Sequence, residues 1–323
     1  MPQAVAICTP VTDHMVLVEE MPQPNQGAKI LAQSWQCGGN AATAAVTCAR
    51  QGMSAGVIGF VGNDANGRAQ YVDFAYNGVE TTHLYTTDEE KTLYTICLCD
   101  LKTKGRSFIS EKKPGRQIRE AELDLDYIRS ARYLFLDVNT PATRAAAKAM
   151  REKGGEVIYD ASLYRPEHEQ MLPYSTIYIA SEFYYRDRYG AQADVFHCCQ
   201  DMRRQGPHTV IFTLGERGCA GIGPEGSFAL PACAVDRVVD TTGCGDPFHG
   251  AFVVGKAQGW STIQCAQWAT ASAAIKCQAL GGRAAQADFD TVARYMQTGQ
   301  MDLSFLPQRI AHYAQQRLSL EEI

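Results

Sequence analysis

The segment DTTGCGDPFHGAFVVG, from Asp240 to Gly255, combines residue types that can hold an anion and move a proton. Gly243 and Gly245 allow the main chain to approach a ligand closely, and the apolar residues that follow predict a buried helix. Unpaired N–H groups and the helix dipole make the start of such a helix attractive to negative charge. The segment therefore predicts an anion site with an acidic side chain, Asp246, beside it.

Two interpretations of Asp246 are open from spacing alone. It could cap the helix, because an Asp side chain accepts a backbone N–H at the N-cap position and Pro247 would then occupy the first helical position. It could instead be a general base that takes a proton from a substrate hydroxyl. An acid beside a phosphate-binding loop favours phosphoryl transfer, in which positioning and charge stabilisation provide most of the catalysis.

Strand-like and helix-like segments alternate from about Leu123 onward, and these elements must position the site. The strand-like runs are rich in Val, Ile, Tyr and Phe: ARYLFLDV, GEVIYDA, TIYIAS and HTVIFTLG. Such alternation predicts βαβ units, and hence a doubly wound α/β fold with a mostly parallel sheet covered on both faces. Ligands of these sheets bind beyond the carboxyl ends of the strands, near helix N-termini.

Two regions with hairpin-like patterns, about residues 14–36 and 80–112, interrupt this alternation. We expect them to form a small separate β-sheet, a lid inserted into a main domain of residues 1–300. Residues 301–323 predict a helical C-terminal tail. A chain of 323 residues with 46% hydrophobic residues can bury the core of one such large domain.

Composition excludes several classes of protein. The formal net charge of −5 argues against a general binder of nucleic acid or anionic membranes. No apolar run approaches the roughly 18 residues of a membrane-spanning helix, and the first residues lack the charged region of a signal peptide, so we expect a cytoplasmic protein. The 12 cysteines include no CxxC pair, which favours small buried hydrophobes over a zinc site.

Other nucleotide-binding motifs are weak. GIGPEG (Gly221–Gly226) matches GxGxxG literally, but it contains Pro224 and precedes SFALPA rather than a helix. It therefore predicts a hairpin turn, and a dinucleotide-dependent oxidoreductase is disfavoured. A P-loop NTPase is also disfavoured, because the sequence contains no GxxxxGK[ST].

The segment quoted first and a second one, GGNAATAAVTCARQGMSAGVIGFVGNDANG (Gly38–Gly67), resemble the two signatures of the ribokinase-like (PfkB) carbohydrate kinases. TLGERG (Thr213–Gly218) is similar to the nucleotide loop of this family, and the match runs in order from about residue 4 to 295. The resemblance implies a ribokinase-like fold whose β-sheet lid often forms a homodimer contact. It also implies a kinase that acts on a small sugar with ATP and Mg²⁺.

The resemblance assigns roles to individual residues. Asp246 matches the catalytic base, and the amides of Gly243, Cys244 and Gly245 match the anion hole. The other matches are Asp13, Gly39 and Asn40 for the sugar, Thr213, Gly215 and Gly218 for ATP, and Asp240 and Thr242 for a monovalent cation such as K⁺. Taken singly, Asp13 could instead cap a turn, Asn40 could be a helix N-cap, and Thr213 and Gly215 could only end a strand; their order along the chain together favours function.

Several positions depart from the family pattern. Cys244 stands where alanine is usual, and Pro247 replaces a small residue. The SEFY segment resembles a family NxxE segment linked to Mg²⁺, with Glu182 as a nearby acid that could act through water. In YDASLYRPE, which resembles DPNxRP of some sugar kinases, Arg165 could reach a phosphate or lie on the surface.

Short segments indicate the substrate. WQCGGNA (Trp35–Ala41) and AAIKCQALGG (Ala273–Gly282) are similar to the ketohexokinase and fructokinase branch, which implies a fructose-like ketose phosphorylated on a primary hydroxyl. Another sugar, sugar acid or sugar phosphate remains an alternative, as does a catalytically weak member that binds sugar or nucleotide. The basic segment EKKPGR (Glu111–Arg116) could lean over an acidic substrate or form a solvated loop.

Overall fold

A computed structural model describes residues 1–111 and 115–321 of the chain. The strands of these residues are β1 (Ala4–Ile7), β2 (Val11–Val18), β3 (Ile30–Gly38), β4 (Ala55–Gly62), β5 (Glu80–Thr87), β6 (Leu93–Asp100), β7 (Arg106–Ser110), β8 (Tyr133–Leu136), β9 (Glu156–Ala161), β10 (Ile177–Ser181), β11 (Thr209–Thr213), β12 (Cys219–Gly223) and β13 (Gly226–Leu230).

The first seven α-helices of the same residues lie between strands, and the last four follow β13 in succession. They are α1 (Asn40–Arg50), α2 (Ala65–Tyr76), α3 (Leu125–Ser130), α4 (Pro141–Glu152), α5 (Pro166–Glu169), α6 (Glu182–Tyr189), α7 (Val195–Arg203), α8 (Gly245–Ala257), α9 (Thr262–Lys276), α10 (Phe289–Thr298) and α11 (Leu306–Glu321).

The large sheet confirms the predicted α/β architecture. Its strand order is β13-β12-β11-β10-β9-β8-β1-β4-β5. All pairs from β11 to β5 are parallel, whereas β12 and β13 add an antiparallel edge. The turn between β12 and β13 lies in GIGPEG, so this motif is the predicted hairpin turn.

Hydrophobic cores lie on both faces of the large sheet, because successive strand residues point to opposite sides. In β1, Ala4 and Ala6 pack with α1, α8 and α9 on one face, and Val5 and Ile7 pack with α3, α4 and α7 on the other. Strands buried on both faces explain why these runs are apolar throughout rather than alternating.

A small second sheet has the order β3-β2-β6-β7, with β2 parallel to β6 and antiparallel to β3. One boundary of the predicted lid is wrong. The strand Glu80–Thr87 pairs with β4 at the edge of the large sheet, so the second lid segment begins only at Leu93. The first lid segment extends from Val11 to Gly38, slightly beyond both expected ends.

The tail folds onto the rest of the protein as α11. Leu306 and Tyr313 are buried against Ala284 and Ala285. Lys112–Pro114, the centre of the basic segment, lie outside the described residues, as do residues 322 and 323. Among the described residues, no helix is both long enough and apolar enough to cross a membrane.

Candidate active site

The carboxyl ends of the parallel strands bring together acidic side chains from separate parts of the chain. Asp137 follows β8 directly, and Asp160 is the penultimate residue of β9. Asp246 lies in the first turn of α8, close enough to interact electrostatically with both carboxylates. This is the edge at which ligands bind in doubly wound sheets.

Asp246 is not the helix cap that spacing had left open. Cys244 occupies the N-cap position, and no side chain caps this helix. Pro247 is therefore the third helical residue, where the first turn still tolerates proline. Burial, together with the negative charges of Asp160 and Asp137, raises the pKa of Asp246 well above its ordinary value. A raised pKa suits a carboxylate that must accept a proton near neutral pH.

The expected anion hole has two open donors. Gly243 adopts a left-handed conformation with φ 65°, which favours glycine. The Cys244 N–H donates to the carbonyl oxygen of Thr241 at 3.2 Å, so the expectation that this amide is free is wrong. The N–H groups of Gly243 and Gly245 have no acceptor among the described residues and remain available to an anion.

Asp240 anchors the loop that precedes α8. Its carboxylate accepts the N–H groups of Thr242 and Gly281, each at 2.8 Å. The buried ammonium of Lys276 donates to the Asp240 carbonyl oxygen at 3.0 Å and lies 3.8 Å from the carboxylate. Burial raises the pKa of Asp240, but Lys276 and the N–H donors outweigh it and keep the pKa below its ordinary value.

The small sheet contacts the same loop. The thiols of Cys97 and Cys99 lie 3.4 and 3.6 Å from the Thr242 hydroxyl, and Cys99 also donates to the Asp240 carboxylate at 3.4 Å. Arg106 donates to the Thr241 hydroxyl at 3.0 Å. A movement of this sheet would therefore shift the loop from Asp240 to Thr242, which leads to the start of α8.

Asp13 lies on β2, opposite Gln36 of β3. Its carboxylate occupies space that is free only because residue 38 is glycine, since a Cβ there would overlap it. Gly39, with φ 97°, then turns the chain into α1. Burial raises the pKa of Asp13 to about 7, although Arg283 opposes this shift.

Asn40 begins α1 and joins a chain of polar contacts that leads to Asp160. Its amide donates to the Ser162 hydroxyl at 3.1 Å, and that hydroxyl donates to Asp160 at 3.0 Å. His249 of α8 lies 3.7 Å from the same carboxylate oxygen, and its other ring nitrogen lies 2.7 Å from the Gly245 carbonyl oxygen. The chain of contacts links the α1 and α8 N-termini through β9.

The predicted nucleotide loop lies at the ends of β10 and β11. Thr213 ends β11, and Gly215 has φ 59°. A Cβ on Gly215 would lie 2.9 Å from a carboxylate oxygen of Glu182, which also pairs with Arg217 at 3.5 Å. A Cβ on Gly218 would overlap the Leu230 main chain, so this glycine is required for packing whatever it binds.

The remaining residues of the altered motifs differ in placement. Ser181, in the SEFY segment, caps α6 by accepting the N–H groups of Phe183 and Tyr184 at 3.0 and 3.2 Å. Arg165 is exposed, and its side chain makes no hydrogen bond or ion pair within the described part of the chain; only its carbonyl oxygen is bonded, to the His168 N–H at 2.9 Å. The structure therefore does not join Arg165 to the carboxylate cluster.

Sequence reasoning missed Asp137, Asp160, His249 and Lys276. Asp137 and Asp160 do have a sequence signal, because each lies at the end of a predicted strand, where ligand-binding residues of these sheets occur. Lys276 has no such signal, since an apolar helix with one lysine usually leaves that lysine in water.

Fold and site together define a class of protein: a doubly wound α/β enzyme that can hold a phosphate at a helix N-terminus beside an acid. The profile of the pfkB family of carbohydrate kinases matches residues 8–288. The chain belongs to this family, and it is accordingly a kinase that transfers phosphate to a hydroxyl group.

Individual relatives agree with this assignment. The chain is 32% identical to aminoimidazole riboside kinase of Salmonella typhimurium, over 69% of this chain and 75% of the relative. It is 25% identical to ribokinase of Haemophilus influenzae, over 84% and 90%. Arabidopsis thaliana ribokinase, solved with ribose and ATP, superposes with a TM-score of 0.76 at 23% identity, over 92% of this chain and 99% of that structure. Thermotoga maritima ribokinase gives a TM-score of 0.79 at 22% identity, over 92% and 100%.

Proposed function

We propose that this kinase transfers the γ-phosphate of ATP to a primary hydroxyl of a small sugar, with Asp246 as the general base. One observation carries the proposal. The Asp246 carboxylate accepts no helix-capping N–H, its pKa is raised, and it lies at the helix start where the Gly243 and Gly245 N–H groups are open. A base and an anion site side by side are what phosphoryl transfer to an alcohol requires.

Separate groups of residues bind the sugar, transfer the phosphoryl group and bind ATP. Asp13, Gly39 and Asn40 bind and orient the sugar from the lid side. Asp246 accepts the hydroxyl proton as the bond to phosphorus forms, and the Gly243 and Gly245 N–H groups stabilise charge on the transferring phosphoryl group. Thr213, Gly215 and Gly218 border ATP, and closure of the small sheet excludes water that would otherwise hydrolyse it.

The acidic side chains fit Mg²⁺ only as part of Mg²⁺–ATP, because no three His, Cys, Asp or Glu side chains of the described residues are grouped to hold a metal ion alone. Carboxylate oxygens are its preferred ligands, and one buried oxygen of Asp137 has no hydrogen-bond partner in the described residues. We propose that Asp137 and Asp160 face the Mg²⁺–ATP complex and that Glu182 contributes through water. Mg²⁺ would neutralise phosphate charge during transfer.

A fructose-like ketose is the proposed substrate, supported by the WQCGGNA segment at the lid. A riboside is the second candidate, because a relative at 32% identity is named aminoimidazole riboside kinase. ADP release from Mg²⁺-ATP, measured against ketoses, ribosides, ribose, sugar acids and sugar phosphates, decides between them. No turnover on any of these, together with sugar binding, would favour a binding-only protein.

The position of Lys276 argues against the monovalent cation that was expected at Asp240 and Thr242. Its ammonium already lies against the Asp240 carbonyl and carboxylate oxygens, and a second positive charge there would be repelled. We therefore expect potassium to change turnover by less than about twofold. A steep potassium dependence would instead show that a cation binds beside Lys276.

We also propose a homodimer through the small sheet. Its two edge strands expose large apolar side chains: Ile30, Leu31, Phe108 and Ile109, which are 56, 50, 55 and 57% exposed. Exposed apolar clusters mark interaction surfaces. Light scattering should give the mass of two chains, and the double variant Phe108→Asp, Ile109→Asp should give one. A parent protein that is monomeric would contradict the proposal.

The free thiols of all 12 cysteines suit a reducing cytoplasm, where we place the enzyme.

A further inference from the structure

Two cysteines meet at the anion site. Cys244 is the N-cap residue of α8, between the two glycines with open N–H groups. Cys277 is the C-cap residue of α9, 33 positions later in the chain. Their sulfur atoms lie 2.9 Å apart, and both side chains are half-buried rather than enclosed in a core.

We propose that Cys244 and Cys277 are a site of reversible oxidation, at which a peroxide forms an intramolecular disulfide. A disulfide needs its sulfur atoms about 2.05 Å apart, so these two must approach by less than about 1 Å. The other near pair, Cys97 and Cys99, is separated by 4.0 Å and lies on one β-strand. Cys244 and Cys277 come from separate elements, the start of α8 and the end of α9, so the main chain of a single strand does not fix their separation.

The chemistry balances with hydrogen peroxide as the oxidant. One thiolate attacks a peroxide oxygen, the O–O bond breaks, and the departing hydroxide takes a proton and leaves as water. The resulting sulfenic acid is attacked by the second thiol, and its oxygen leaves as a second water when the S–S bond forms. Two thiols thereby lose two electrons and two protons, and the peroxide is reduced to two molecules of water.

The consequence for turnover rests on the proposed function. A disulfide would bond the residue between Gly243 and Gly245 to the end of α9. The two open N–H groups could then no longer adjust to the transferring phosphoryl group, and donors of this kind act only when placed to within a fraction of an ångström. Oxidation should therefore lower kcat by at least about tenfold, and dithiothreitol should restore it.

Peptide mapping tests the bond without relying on kinase activity. The full-length protein is treated with hydrogen peroxide, alkylated, unfolded and digested with trypsin without reductant. Cleavage after Arg237, Lys256, Lys276 and Arg283 places Cys244 in peptide 238–256 and Cys277 in peptide 277–283. We expect these two peptides to be joined, with the loss of two hydrogens, and to separate after dithiothreitol. If both cysteines are alkylated or carry unlinked oxidised forms after treatment, the proposal is wrong.

Activity tests the consequence. Cys277→Ser keeps a hydroxyl that can donate to the Ala273 carbonyl oxygen, as the thiol does at 3.3 Å, so untreated turnover should be unchanged and resistant to peroxide. Cys233→Ser is the matched control, because Cys233 is also half-buried; this variant should remain as sensitive as the parent. A linked peptide with unchanged kcat would overturn the effect on turnover. An inactive untreated parent would count against the proposed function, and the peptide map would still decide whether the disulfide forms.

Discussion

The ammonium group of Lys276 lies 3.0 Å from the carbonyl oxygen of Asp240 and 3.8 Å from its carboxylate, and both side chains are buried. The last residue of α9 is thereby joined to the loop that leads into α8. Because that loop leads directly into the first turn of α8, where Asp246 lies, a charge pair inside the protein helps to set the position of the proposed base and of the N–H groups beside it.

Loss of the Lys276 charge should destabilise the protein strongly. Lys276→Met would leave the Asp240 carboxylate buried without its partner, and breaking a buried pair in this way costs about 3–5 kcal/mol. The free energy of unfolding in urea measures this loss. Lys148→Met, which removes an exposed ammonium 3.9 Å from Glu152, is the control and should have little effect. A Lys276 variant as stable as the parent would show that the pair is not needed to hold the loop.

Replacement of the base should abolish turnover and preserve binding. Asp246→Asn keeps the shape of the side chain but cannot accept the hydroxyl proton, so kcat should fall about 10²–10⁴-fold. Calorimetry should show unchanged sugar affinity. Asp290→Asn, at an exposed position in the first turn of α10, is the matched control. Retention of most turnover by Asp246→Asn would remove Asp246 from the role of base.

The decrease of kcat/KM at acidic pH should depend on the carboxylates around Asp246. Burial and the charges of Asp160 and Asp137 raise the pKa of Asp246 above the ordinary 3.8, and the base acts only when deprotonated. kcat/KM should therefore fall as the pH decreases through this raised value. Asp137→Asn removes one negative neighbour, so the acidic limb should move to lower pH by roughly one unit.

A control variant separates this local effect from general charge. Glu152→Gln removes an exposed carboxylate at the end of α4 and should leave the acidic limb where it is. If Asp137→Asn moved the limb to higher pH, or not at all, Asp246 would not be the group that titrates.

The buried carboxyl group of Asp13 should lower the free energy of unfolding as the pH rises. Burial raises the pKa of Asp13 from 3.8 to about 7, so the folded protein holds this proton more tightly than the unfolded chain does. Its destabilising effect therefore grows between about pH 4 and 7 and is complete above pH 7. Asp13→Asn should raise the Tm more at pH 8 than at pH 4.5, while KM for the sugar increases. A Tm difference that is the same at both pH values would contradict this assignment.

The sequence by itself determined the parts of this protein that depend on neighbouring residues. Glycine chemistry in DTTGCGDP predicted a loop followed by a helix, although α8 begins at Gly245, two residues before Pro247. The turn in GIGPEG was predicted because proline cannot continue a helix there. The alternation of strands and helices likewise predicted a mostly parallel sheet, because hydrophobic periodicity is a local property.

The tertiary structure decided which distant groups meet. The strand Glu80–Thr87 has β-prone residues, but β propensity does not specify a partner, and only the folded chain pairs this strand with β4 instead of the lid. Lys276 lies 36 positions from Asp240, and Cys277 lies 33 positions from Cys244. Their contacts arise from the packing of α9 against α8, which no local pattern encodes. The sequence therefore predicted the helices and strands that carry the site. The contacts between Lys276 and Asp240 and between Cys277 and Cys244 depend on how those helices pack.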